Sequence, residues 1–220
     1  MPARGGVLML VRDVMQPQVL VISPTTTVPE AVQLAQRRGI RHLPVVEDGK
    51  LCGMVSDRDL KRAMPSGATT LEAHELRYLL ERLAVSEIMT RTVITTGPMF
   101  PVEEAARLMV AEKISALPVT EGGRLVGIVT ETDVLDLFVR AMGAHEPSSR
   151  LDVELPERPA ALSEVVQVVE AAGATISSVM TLLNRAGLKE AIVRLATINP
   201  GPAIRALEAR GYTVRDSWRG

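Results

Sequence analysis

Cysteine is almost missing: Cys52 is alone among 220 residues, which excludes an internal disulfide and fits a reducing compartment. It lies in an apolar run, where a small buried side chain is a simpler reading than a reactive thiol. Aromatics are scarce as well, with one tryptophan, two tyrosines and two phenylalanines. That excludes the stacking platform on which single-stranded nucleic acid is held. No charge of one sign prevails, since 25 Lys and Arg face 26 Asp and Glu and the formal net charge is -1. At the scale of the chain nothing draws nucleic acid or an anionic membrane surface. The opening MPARGGVLMLV has only five consecutive apolar residues, too few for a signal-peptide core or a membrane span. Residues 1–10 therefore read as a leader, and the chain is expected to be cytoplasmic. Catalytic machinery is missing too. His42, His74 and His145 show no metal-ligand spacing, no Gly-x-x-x-x-Gly-Lys-Ser/Thr loop occurs, and no nucleophile stands with a base. The chain is read as a binding module, not an enzyme, with no metal and no covalent cofactor.

What the sequence does contain is a duplication. Slid by 74 residues, the segment from Val11 to Leu60 aligns without a gap on the segment from Val85 to Val134. That period exceeds the 20–50 residues of solenoid repeats and indicates two copies of one small domain. Each copy opens with a short segment ending at Met15 or Met89, followed by a strand at 19–22 or 93–96 that Pro24 or Pro98 ends. A helix is expected from about Pro29 to Arg38, with Ala31, Val32, Leu34 and Ala35 as its apolar face, and again from Val102 to Lys113. A hairpin follows at Asp48-Gly49 or Gly122-Gly123. A last helix starts after Ser56 or Thr130, making each copy β-α-β-β-α. Between the copies, residues 65–84 read as a connecting helix with a possible capping box at Thr69 and Glu72. Residues 11–64 and 85–140 are thus the two copies.

After a linker at 141–150, residues 151–220 form a third unit. Strand-like LDVEL, a helix stopping at Gly173, two strands turning at Gly187, a helix from NPGP to Gly211 and a final YTVRDS give the order β-α-β-β-α-β, that of a ferredoxin-like domain. The fold class is α+β.

The repeated motif, GMVSDRDL and GIVTETDV, has two readings. Ser56-x-x-Asp59 and Thr130-x-x-Asp133 are capping boxes, the hydroxyl accepting from a helix amide and the acid complementing the dipole. A strand end beside a helix N-terminus is also an anion site, where a carboxylate can accept from a ribose diol. Copy one adds Arg58, Arg41 and His42, suited to phosphates, where copy two has Thr132, Ser115 and Ala116. Two sites, where both exist, differ in charge.

These paired units resemble tandem CBS domains (cystathionine β-synthase type), the arrangement called a Bateman module. The segment LDVELPERPAALSEVVQVVEAAGATISSV resembles an ACT domain. The order CBS, CBS, ACT is similar to proteins of the acetoin-utilisation AcuB type. The CBS resemblance implies two clefts between the paired units, packed about a pseudo-twofold axis. There an adenosine nucleotide such as AMP, ADP or ATP, and in some members NAD or S-adenosylmethionine, binds. Carried over, Asp59 and Asp133 hold ribose beside Ser56 and Thr130, while Arg41, His42 and Arg58 face phosphate. The ACT resemblance implies amino-acid binding at a domain interface, through a loop where glycine usually follows Arg-Pro. Ala160 stands there, and its Cβ obstructs close backbone approach, which favours a dimerisation role. Three functions follow: a nucleotide-sensing regulator, working as a homodimer upon a metabolic enzyme or regulator; a constitutive dimeric scaffold with empty clefts; or an enzyme subunit in acetoin or related carbon metabolism.

Overall fold

The computed structural model describes residues 9–64, 82–144 and 147–216. The connecting segment with Thr69, Glu72 and His74, together with His145 and leader residues 1–8, lies outside them. The chain divides into two compact units, Met1–Val134 and Leu135–Gly220.

The first unit begins with α1 (Val11–Val14), α2 (Val28–Arg38), β1 (His42–Glu47), β2 (Lys50–Ser56) and α3 (Asp57–Ala63). The duplicate supplies α4 (Val85–Ile88), α5 (Val102–Glu112), β3 (Ala116–Glu121), β4 (Arg124–Thr130) and α6 (Glu131–Ala141), whose last turns run into the second unit. Thr27 accepts from the Glu30 N–H while the Glu30 carboxylate accepts from the Thr27 N–H, and Gly39 closes α2 in the left-handed conformation. At the corresponding end of α5 the left-handed residue is Lys113.

β1 and β2 form one antiparallel hairpin, β3 and β4 the other, and they join in a sheet ordered β1-β2-β4-β3. The joining pair is Lys50 with Arg124. These are equivalent residues of the repeat, so a pseudo-twofold axis passes between them. The segments 19–22 and 93–96 do not form the expected strands. Only Ile22 and Thr96 make parallel bridges, to Val45 and Val119. Pro24 and Pro98 lie two residues on, and Pro44 and Pro118 in the partner strands bring no N–H, so neither ladder extends.

The leading turns are exchanged between copies. Val85, Ile88 and Met89 pack into the core of Val28, Ala31, Leu43 and Val45. Val11, Val14 and Met15 pack into that of Ala105, Met109, Leu117 and Val119. Two glycines admit these crossings: a Cβ on Gly53 would overlap the Met89 sulfur, and one on Gly127 would stand 2.5 Å from the Met15 sulfur. Leu10, read as leader, is buried and bridges Pro101.

The second unit continues with β5 (Ser149–Glu154), α7 (Ala161–Ala171), β6 (Ile176–Leu183), β7 (Lys189–Leu195), α8 (Gly201–Glu208) and β8 (Val214–Asp216). Its antiparallel sheet is ordered β6-β7-β5-β8, the ferredoxin-like arrangement expected from the element order. Alternate residues of β5, Leu151 and Val153 among them, meet Val165 and Val169 of α7 and Leu207 of α8 in the core. Ala160 precedes α7 at φ 64, a left-handed conformation costly for a residue with a Cβ. The loop is tied internally, since Arg158 pairs with Glu164 and the Tyr212 hydroxyl donates to Glu164 at 2.8 Å.

Candidate functional site

Both capping boxes form. The Ser56 N–H and Oγ–H donate to Asp59 Oδ2 at 2.9 and 2.5 Å, and the Asp59 N–H returns to Ser56 Oγ at 3.3 Å. In copy two the Thr130 N–H and Oγ1–H reach Asp133 Oδ2 at 2.8 and 2.6 Å. Beyond that the copies differ. Asp133 Oδ1 accepts from Gln16 Nε2 at 3.1 Å, whereas no described residue hydrogen-bonds the other oxygen of Asp59.

Each acid lines its own cavity. The first, about 440 Å³, brings Ser56, Arg58 and Asp59 against Thr90, Thr92, Val93 and Ile94 from the start of copy two and against Lys113, Ile114, Ser115 and Ala116. The second, about 500 Å³, brings Thr130, Thr132 and Asp133 against Gln16, Gln18, Val19 and Leu20 and against Gly39, Ile40, Arg41 and His42. Each of these positions lies 74 residues from its counterpart in the other cleft, but the first cleft is also lined by His42, Asp57, Arg62 and Glu131, whose counterparts do not line the second. Both volumes fall within the roughly 300–1,000 Å³ of small-ligand sites.

This construction redistributes the charges expected from the sequence. Arg41 and His42 belong to copy one, but each cleft combines the acid of one copy with the strand start of the other. Arg41 therefore lines the cleft of Asp133, and its guanidinium donates to Thr132 Oγ1 at 3.1 Å. His42 borders both clefts, with Nε2 at 2.8 Å from Ser115 Oγ. The cleft of Asp59 keeps Arg58 and gains two cations the sequence reading missed, Arg62 and Lys113. Applying the repeat across copies would have found Lys113, the counterpart of Gly39.

Burial, and then the Arg41 charge, hold the His42 pKa below its ordinary 6.5. The ring is therefore neutral at neutral pH and exchanges a hydrogen bond with Ser115. Asp57, beside it, is held low chiefly by its hydrogen bond from Lys61. Burial pushes the Cys52 thiol up, and its Sγ donates to the Val45 carbonyl at 3.3 Å. That suits a packing role over a nucleophilic one. Among the described residues no group of three His, Cys, Asp or Glu could hold a metal, and no helix is long and apolar enough to cross a membrane.

Two hairpins related by a pseudo-twofold axis, exchanged leading turns and a Ser/Thr-x-x-Asp motif in each cleft define a paired-repeat module. The CBS domain model matches residues 11–66 and 85–140, just over half the chain, and the protein belongs to the CBS domain family. It is 35% identical over 142 residues to a CBS domain-containing protein of Dictyostelium discoideum, covering 64% of this chain and 98% of that one. The solved CBS domain pair of protein MJ0100, in complex with 5'-methylthioadenosine and S-adenosyl-L-methionine, is 30% identical with a TM-score of 0.51 and covers 63% of this chain and 99% of its own. A Vibrio cholerae structure assigned as the acetoin utilization protein AcuB is 29% identical, with a TM-score of 0.53, over 63% of this chain and 96% of that one.

Proposed function

We propose that this protein is a non-catalytic regulator that binds an adenosine nucleotide of the AMP, ADP or ATP class in the cleft of Asp59 and signals its occupancy to a metabolic partner. One observation carries this reading. Arg58, Arg62 and Lys113 line a cavity beside a half-uncommitted carboxylate, and none of the three side chains has a hydrogen-bond or ion-pair partner among the described residues. Unpaired cations suit phosphate oxygens, a free carboxylate oxygen suits a ribose diol, and Val93, Ile94 and Ala116 offer apolar surface for a base. The adenosine ligands in the MJ0100 structure support the same chemistry. We place the partner among enzymes or regulators of acetoin or related carbon metabolism on the likeness to the Vibrio cholerae protein alone.

The test is Asp59→Ala. Loss of a charged acceptor costs about 1.5–3 kcal/mol, so AMP affinity should fall roughly 10- to 150-fold. A constitutive scaffold is the second reading, favoured by the capping box at Asp59 being complete without a ligand. On that reading Asp59→Ala lowers stability by about 0.5–2 kcal/mol and changes no affinity.

We also propose that the second unit is an ACT domain pairing two chains. The ferredoxin-like strand order and an edge strand, β6, exposing Val179, Leu182 and Leu183 support this. An unpaired edge with apolar side chains is a template for a second copy.

A further inference from the structure

The two clefts share their plan, yet their acids are in different states. Gln16 follows α1 and is fixed by two backbone hydrogen bonds, its N–H to the Ile128 carbonyl at 2.8 Å and its carbonyl from the Ile128 N–H at 3.0 Å. From there its side-chain amide donates to Asp133 Oδ1. With Oδ2 held by Thr130, both oxygens of Asp133 are committed. The cation of this cleft, Arg41, is also engaged, by Thr132. The counterpart of Gln16 is Thr90, which bridges Met54 through the same pair of backbone bonds, at 2.9 and 3.0 Å. Its side chain is too short to carry an amide to Asp59, and no bond between them is formed.

We propose that Gln16 is a specificity-determining latch: it satisfies Asp133 from within the protein and so closes the second cleft to a ribose diol, leaving the first of the two clefts as the nucleotide site. A ligand entering the second cleft must displace a neutral donor already bonded to the carboxylate. One entering the first meets an open oxygen and three unpaired cations, on a wall that also carries Asp57 and Glu131. The inference rests on the nucleotide reading above.

The experiment is AMP and adenosine binding to the full chain, measured as stoichiometry by calorimetry, in the wild type, Gln16→Thr and Gln16→Ala. The wild type takes one AMP per chain. Gln16→Thr, which installs the residue found at 90, gains a second equivalent, its affinity tightened by up to about tenfold, the effect of losing one solvent-exposed hydrogen bond that competes with the ligand. Adding Asp133→Ala removes that second equivalent. Gln16→Ala behaves alike, and neither change touches the backbone pairing with Ile128. Two equivalents in the wild type, or one equivalent in both variants, overturns the latch while leaving the nucleotide reading intact. No bound AMP in the wild type or the variants overturns the nucleotide reading and the latch with it.

Discussion

Lys113 lines the proposed nucleotide cleft in a backbone conformation that costs the fold. It adopts φ 56 at the end of α5, where copy one uses Gly39 at φ 63. A left-handed residue with a Cβ costs about 1–2 kcal/mol, and such strain persists where function holds it. Replacing it by glycine relieves that strain but frees the unfolded chain by about 0.4–1 kcal/mol. Lys113→Gly should therefore raise stability by about 0.5–1 kcal/mol, about 1–4 °C in Tm for a chain of this size. It should also weaken AMP more than adenosine. Thermal melts and paired titrations check both, and a lower Tm would show that the lysine side chain contributes packing instead. Asp59 and Ser56 were legible in the sequence because a short motif recurs at fixed spacing. Lys113 and Arg62 were not, because only the fold brings the end of one copy's helix to the other copy's acid.

At the scale of elements, the exchange of α1 and α4 ties the copies together. Gly53→Ala would place a methyl against Met89, and overpacking of this kind costs about 1–3 kcal/mol. Adding Met89→Ala should recover part of that loss, so denaturant melts of the double variant should show less destabilisation than the two single losses summed. Additivity would mean that the methyl is accommodated without the methionine. Helices and hairpins could be read from apolar period and turn pairs: Ala31, Val32, Leu34 and Ala35 mark the inner face of α2, and Asp48-Gly49 closes the first hairpin. The exchange could not, since the apolar pattern of Val85, Ile88 and Met89 says that the turn is buried but not on which copy. The segments 19–22 and 93–96 misled for a related reason. Val19 to Ile22 has strand-like composition, yet the prolines around the bridge leave a ladder nowhere to go.

Across the whole molecule, the CBS pair supplies the proposed binding clefts and the C-terminal unit the proposed contact between chains. Light scattering should give twice the mass of one chain. Leu183→Lys, placing a charge on the β6 edge, should shift that mass toward the monomer while leaving the melt of the CBS pair unchanged; a monomeric wild type would contradict the pairing. Neither result touches the central claim, that the cleft of Asp59 is a nucleotide site. The most direct measurement of that is a calorimetric titration of AMP into the full wild-type chain, repeated with ADP, ATP, NAD and S-adenosylmethionine. Saturable binding of AMP, ADP or ATP at one equivalent, sharply weakened in Asp59→Ala, is the predicted result. A folded protein that binds none of the five would contradict it and leave GMVSDRDL as the cap of a helix.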